Sequence, residues 1–282
     1  MNRYPSSPAA GLLAPLPPPV RDLPAVSLPV ERIEQPDDLT CGPTALLQIY
    51  RYHGEDRSLD EVIRDTRRNP DGGTLAVYLA LSALVEGWRP TLFSFNLDVF
   101  DPTWSNLSPE ALAAKLEARR QEVEGERLRR VMRAYVDLLH RGGQVRLVDL
   151  DRRLLVGLLA AGHPILAGLS ATWLYRSPRE LGEEPDDIGG WPVGHFVVIS
   201  GYQPQDDLFL IVDPSRDIPF GRTGVYPVPS ERLMGAILLG DVTMDAVLLV
   251  LDRDGLDGPG AADPGAPDPG SPNPAPAGTS LA

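Results

Sequence analysis

The sequence predicts an α+β fold, and two observations carry that reading. Helical patterns fill the first half of the chain, while short apolar or β-branched runs bounded by turn residues fill the second. The two kinds of element do not alternate regularly, which argues against a doubly wound α/β sheet.

Residues 41–53 place Ala45, Leu46, Ile49, Tyr50 and Tyr52 in a helical pattern that stops at Gly54, a helix C-terminal signal. Ser58 followed by Glu61 is a capping box opening a short helix with Val62 and Ile63. A third helix is expected over 74–86, closed by Gly87. Ser108-Pro109-Glu110 is a helix start with proline at the first helical position, and the polar stretch from there to about Arg141 reads as helical. Either Asp149 or Asp151 caps another helix ending at Gly162. The strand-like runs are 165–169, 196–202, 208–212 and 246–251. A further run, 225–228, contains Pro227, which would confine it to a sheet edge.

Proline marks the ends of the folded part. Nine of the 30 prolines lie in residues 1–36 and seven lie between Pro259 and Pro276. Three stretches follow: a Pro-rich N-terminal segment over 1–30, a folded domain over 31–252, and a disordered tail over 253–282 made mostly of Gly, Pro, Ala and Asp. The N-terminal stretch interleaves Val26, Leu28, Val30 and Ile33, so it is expected to run extended across the body. No internal repeat of 20–50 residues is visible.

Composition removes several functions. With 282 residues the chain can bury a sizeable core. The net charge of −13 argues against a nucleic-acid partner, since phosphate binding needs clustered Lys and Arg. The most basic stretch, 127–133, follows Glu122, Glu124 and Glu126 and reads as a solvated helix face. A single cysteine excludes an internal disulfide framework, and His and Cys are too few and scattered for a zinc ligand set. No cofactor is implied, and no GxxxxGK[ST] loop is present. No apolar run reaches the length of a membrane span, and residues 1–20 lack the core of a secretory signal. A reducing cytoplasm fits a lone usable thiol.

The chemistry-bearing positions are few. Cys41 lies in Gln35-Pro-Asp-Asp-Leu-Thr-Cys-Gly-Pro-Thr-Ala45, where Pro43 suits a first helical turn and puts the thiol at a helix N-terminus. Free N–H groups and the helix dipole there favour a thiolate, which a nucleophile needs. A free cysteine is also a common small core residue, so both readings of Cys41 stay open. Of the four histidines, His53, His140 and His163 sit at a helix end, a charged helix end and a His-Pro junction. His195 heads Gly194-His-Phe-Val-Val-Ile-Ser-Gly-Tyr202, where a buried strand fixes its ring. Asp213 ends the next strand before Pro214, and 203–207 between the two strands reads as a hairpin loop, which would set Asp213 beside His195. Gln35 precedes Cys41 by six residues and its amide could serve an oxyanion. Each residue has a structural explanation alone; together they have the types and chain order of one catalytic machine.

On these motifs, together with Val212-Asp-Pro214, the chain resembles the papain-like cysteine peptidases. Among them it is most similar to the bacteriocin-processing (double-glycine leader) peptidases, especially stand-alone members. The resemblance covers roughly 33–55 and 163–215. It implies a two-lobed papain-like α+β domain, a helical lobe plus an antiparallel sheet lobe, with 95–145 as a helical insertion. It also implies Cys41 as nucleophile, His195 as general base and acid, Asp213 as orienting residue and Gln35 as oxyanion donor. The expected activity is a cysteine peptidase or amidase acting on a peptide or amide substrate through a thioester. Alternatives from the same fold are an acyltransferase or peptide ligase, and a non-catalytic peptide-binding module. Trp191, just before His195, reads as packing in preference to a cleft wall.

Overall fold

The computed structural model describes residues 23–69, 72–220, 223–240 and 246–254. The Pro-rich start up to residue 22 and the tail from residue 255 lie outside the described residues.

Helix α1 (Cys41–Tyr52) opens at Cys41 and turns Ala45, Leu46, Ile49 and Tyr50 into the core. The expected capping box starts α2 (Leu59–Asp65): Ser58 Oγ accepts the Glu61 N–H and the Glu61 carboxylate accepts the Ser58 N–H. Helix α3 (Ala76–Val85) is almost wholly buried. The polar stretch from Ser108 forms two helices, α4 (Pro109–Glu122) and α5 (Glu126–His140), separated at residues 123–125. Asp151, not Asp149, caps α6 (Arg152–Ala160), its Oδ1 accepting the Leu154 N–H at 2.8 Å.

The strands are β1 (Val26–Ser27), β2 (Arg89–Ser94), β3 (Gln144–Arg146), β4 (Ile165–Ser170), β5 (Glu180–Leu181), β6 (Glu184–Pro185), β7 (Gly194–Gln203), β8 (Leu208–Val212), β9 (Val225–Pro229) and β10 (Val247–Asp252). The main sheet runs β3-β2-β10-β4-β7-β8-β9, with β1 added beside β7. Among the described residues, only β2 and β3 pair in parallel. Strand β9 lies at the edge, as Pro227 requires. Strands β5 and β6 form a separate small hairpin. Two further helices, α7 (Ala171–Tyr175) and α8 (Ser230–Leu239), follow β4 and β9.

The sheet is covered on both faces. Along β10, Val247, Leu249 and Leu251 join an apolar cluster with α1 to α5, while Leu248 and Val250 join another with α6 to α8. That alternation is the period of a strand buried on both sides. The order of helices first and strands later therefore holds only in outline. Strand β2 interrupts the helical half, and α8 interrupts the strand-rich half. The sheet matters to function because β7 begins, and β8 ends, at the same side of the molecule.

Candidate active site

Cys41 is the first residue of α1 and is half-buried. The first turn leaves the Cys41 and Gly42 N–H groups without intrahelical acceptors, and Pro43 has no N–H to offer. The positive dipole end of the helix thus lies at Cys41. Gly42 explains why the helix can start here. A Cβ at that position would sit 2.5 Å from Thr74 Cγ2 and 3.1 Å from Phe196 Cδ2. Phe196 follows His195, so this close approach seats the start of α1 on the head of β7. The thiol is near enough to the His195 ring to add to the upward shift of its titration.

His195 is held by its register against Leu169 of β4. Its Nε2 stands 2.9 Å from Asp213 Oδ1, which leaves Nδ1 as the nitrogen for the thiol. Asp213 is fully buried. Four donors satisfy its carboxylate. Oδ1 accepts from His195 and from the Ser215 N–H at 2.9 Å. Oδ2 accepts the Tyr175 hydroxyl at 2.7 Å and the Tyr226 hydroxyl at 2.5 Å.

The titration behaviour follows from these contacts. Burial alone would lower the His195 pKa, but the Asp213 charge and hydrogen bond outweigh it, and the ring is held above its ordinary value with the Cys41 thiol adding to the effect. Burial alone would raise the Asp213 carboxyl, yet the imidazolium and the tyrosine donors hold it below the usual carboxylate range. Tyr175 and Tyr226 are both pushed up, first by burial and then by the Asp213 charge, so they remain protonated donors.

No family model matches the chain, and no curated protein matches it. Among solved structures it is similar to a double-glycine motif protease from an AMS/PCAT transporter in complex with the leader peptide, at 15% identity and a TM-score of 0.40, covering 80% of this chain and 96% of that one. It is also similar to the peptidase domain of Streptococcus ComA, a bi-functional ABC transporter involved in a quorum-sensing pathway, at 13% identity and a TM-score of 0.38, covering 79% and 97%. A third is xylellain, a cysteine protease from Xylella fastidiosa, at 17% identity and a TM-score of 0.42, covering 83% and 87%.

Gln35 is buried in the loop ahead of Cys41. Its Nε2 donates to the Asp37 carbonyl at 2.8 Å, and its Oε1 has no hydrogen-bond partner. The same loop is tied to the turn that follows β8. The Gln35 N–H donates to the Pro214 carbonyl at 2.9 Å, and Arg216 Nε donates to the Gln35 carbonyl at 2.8 Å. Arg32 adds a fork, donating from Nε to the Asp213 carbonyl at 2.9 Å and from Nη2 to the Ser215 carbonyl at 2.6 Å. Gly224 makes room for it, since a Cβ there would fall 1.8 Å from Arg32 Nε.

All four residues singled out in the sequence lie in this region, with His195 bonded to Asp213 and Cys41 beside His195. Sequence reasoning missed Tyr175, Tyr226 and Arg32. Only Tyr226 left a signal, because it lies in the expected edge strand. Trp191 corrects an expectation: it is 74% exposed, so it is not packing. The other histidines stay apart from the site: His53 meets Tyr52 and Trp88, His140 ends α5, and His163 approaches Asp252. Among the described residues there is no His/Cys/Asp/Glu group suited to a metal ion and no helix long and apolar enough to cross a membrane.

Proposed function

We propose that the protein is a papain-like cysteine peptidase or amidase, with its catalytic domain over 31–252 and 95–145 as a helical insertion. The observation that carries this reading is the buried His195–Asp213 pair beside a thiol at the N-terminus of α1. The pair favours an imidazolium, and the helix end favours a thiolate next to it.

The Cys41 thiolate attacks the carbonyl carbon of a peptide or amide, forming the carbon–sulfur bond and an oxyanion. The Cys41 N–H and the Gln35 side-chain amide supply the donors for that oxyanion. The imidazolium of His195 then protonates the departing nitrogen as the carbon–nitrogen bond breaks, leaving a thioester and an amine. Neutral His195 takes a proton from water, the hydroxyl adds to the thioester, and the acid leaves as the thiolate–imidazolium pair returns. Asp213 keeps Nε2 protonated and directs Nδ1 to the sulfur throughout. A reducing compartment keeps the lone thiol available.

The test is the rate of Cys41 alkylation by iodoacetamide from acid to mildly alkaline pH. Wild type is expected to react well below the free-thiol pKa of about 8.5, and the His195→Ala protein to lose that reactivity. His195→Gln, which keeps a donor for Asp213, guards against loss of fold. A slow reaction that rises only near the free-thiol value and ignores both substitutions would sink the peptidase reading and leave a non-catalytic peptide-binding module.

A further inference from the structure

A cavity of about 540 Å³ opens beside the strand that carries His195. Ser170, Trp173, Pro192 and Leu239 line it together with Arg176 and Arg179. Its volume lies in the range of small-ligand sites. Its place relative to the catalytic groups is set by the sheet. Ser170 is the register partner of Gly194, the residue before His195. Tyr175, which bonds Asp213, immediately precedes Arg176.

Arg176 is the unusual member. It ends α7 with a φ of 55°, a left-handed conformation uncommon for a residue with a side chain. Among the described residues it makes no hydrogen bond or ion pair. Arg179, by contrast, donates to the Asp187 carbonyl. The neighbouring Asp186 carboxylate is taken up by the Ile188 and Gly189 N–H groups. Trp173 and Leu239 remain 52% and 41% exposed, so the cavity offers an apolar wall beside an uncompensated guanidinium.

We propose that this cavity is the leaving-group subsite and that Arg176 selects leaving groups bearing a carboxylate next to an apolar side chain. The proposal rests on the peptidase reading. His195 is the acid that protonates the departing nitrogen, so the part of the substrate beyond that nitrogen extends on the imidazole side of the sulfur. A planar guanidinium with no partner pairs bidentately with a carboxylate. That carboxylate is either the free end of a chain or an acidic side chain within one.

The test uses the full-length Cys41→Ala protein, which binds without turnover. It is titrated with N-acetyl-leucylalanine, with its C-terminal amide, and with the α-amide of N-acetyl-leucylglutamic acid, which keeps only the side-chain carboxyl. The indole N–H signal of Trp173 is followed by NMR and assigned by Trp173→Phe. At least one carboxylate probe is expected to bind about tenfold more tightly than the uncharged amide. The tighter of the two identifies a chain end or an internal acid as the source. Adding Arg176→Ala is expected to erase the preference, and Arg176→Lys to retain part of it. Equal binding of all three probes, or a preference that survives Arg176→Ala, overturns the assignment. Because the titration needs no turnover, an inert Cys41 would remove the peptidase reading without mimicking either result.

Discussion

The β7–β8 hairpin carries an aspartate at each end, and the two make similar contacts to different effect. At the turn, Asp207 receives Arg152 at 3.0 Å, the Tyr202 hydroxyl at 2.9 Å and the Ser230 hydroxyl. At the open end, Asp213 receives His195 at 2.9 Å, two tyrosine hydroxyls and the Ser215 N–H. Each carboxylate thus gathers a nitrogen base and at least one tyrosine across several elements. The difference lies in the base. A guanidinium keeps its proton in water, whereas an imidazole exchanges one and here faces a thiol. The same bonding holds a fixed charge at one end and a titratable ring at the other.

Exchanging one atom at each end tests that contrast. Asp213→Asn keeps the shape of the side chain but removes the charge that holds His195 protonated. It is expected to slow Cys41 alkylation at pH 6 by about a hundredfold. Asp207→Asn is expected to leave that rate within about twofold and to cost about 1–3 kcal/mol of stability, read from urea unfolding. Equal losses of reactivity in the two variants would abolish the distinction between the ends.

The dependence of stability on pH sharpens it further. His195 is held above its ordinary value, so its contribution is complete below the unfolded-state pKa of about 6.5 and is lost as pH climbs through the raised value. Asp213 is held below its ordinary value, so its contribution is complete above about 3.9 and is lost as pH falls through the depressed value. The pair therefore stabilises most between about pH 4 and 6.5, and the wild-type urea midpoint should decline on the alkaline side of that window. Asp213→Asn should flatten the alkaline decline, and Asp207→Asn should leave it unchanged. An alkaline limb that persists in Asp213→Asn would show that another group produces it.

The legible parts of the site are those written in local signals. Pro43 after Cys41 marks a first helical turn, the β-branched run after His195 marks a buried strand, and Asp213-Pro214 marks a strand end. The hairpin between them made their proximity readable. Tyr175, Tyr226 and Arg32 were not readable as partners of Asp213, because they arrive from 38, 13 and 181 residues away. Strand register and helix docking bring them together, and no local pattern encodes either. In the fold, Pro90 hides β2, where it precedes the residues that pair with β3. Gly235 interrupts the helical pattern of α8 for a packing reason, since a Cβ there would lie 2.9 Å from the Trp173 indole nitrogen.

The smallest effect expected belongs to the tyrosines, and its sign distinguishes two roles. Tyr226→Phe removes a hydroxyl dipole aimed at Asp213 Oδ2, which in the wild type offsets part of the negative potential acting on His195. If damping that charge is its role, losing it lets the carboxylate act more strongly on the imidazolium. The His195 titration, followed by NMR of the ring, should then move further up by less than one unit. Stability should fall by about 1–2 kcal/mol for the lost bond, and alkylation at pH 6 should stay within about twofold because the ring is already protonated there. Tyr175→Phe should behave likewise but more weakly, since its bond is longer, at 2.7 Å against 2.5 Å. A downward move in either variant would mean that the hydroxyl serves to aim the carboxylate at His195, and that misalignment costs the pair more than the released charge adds.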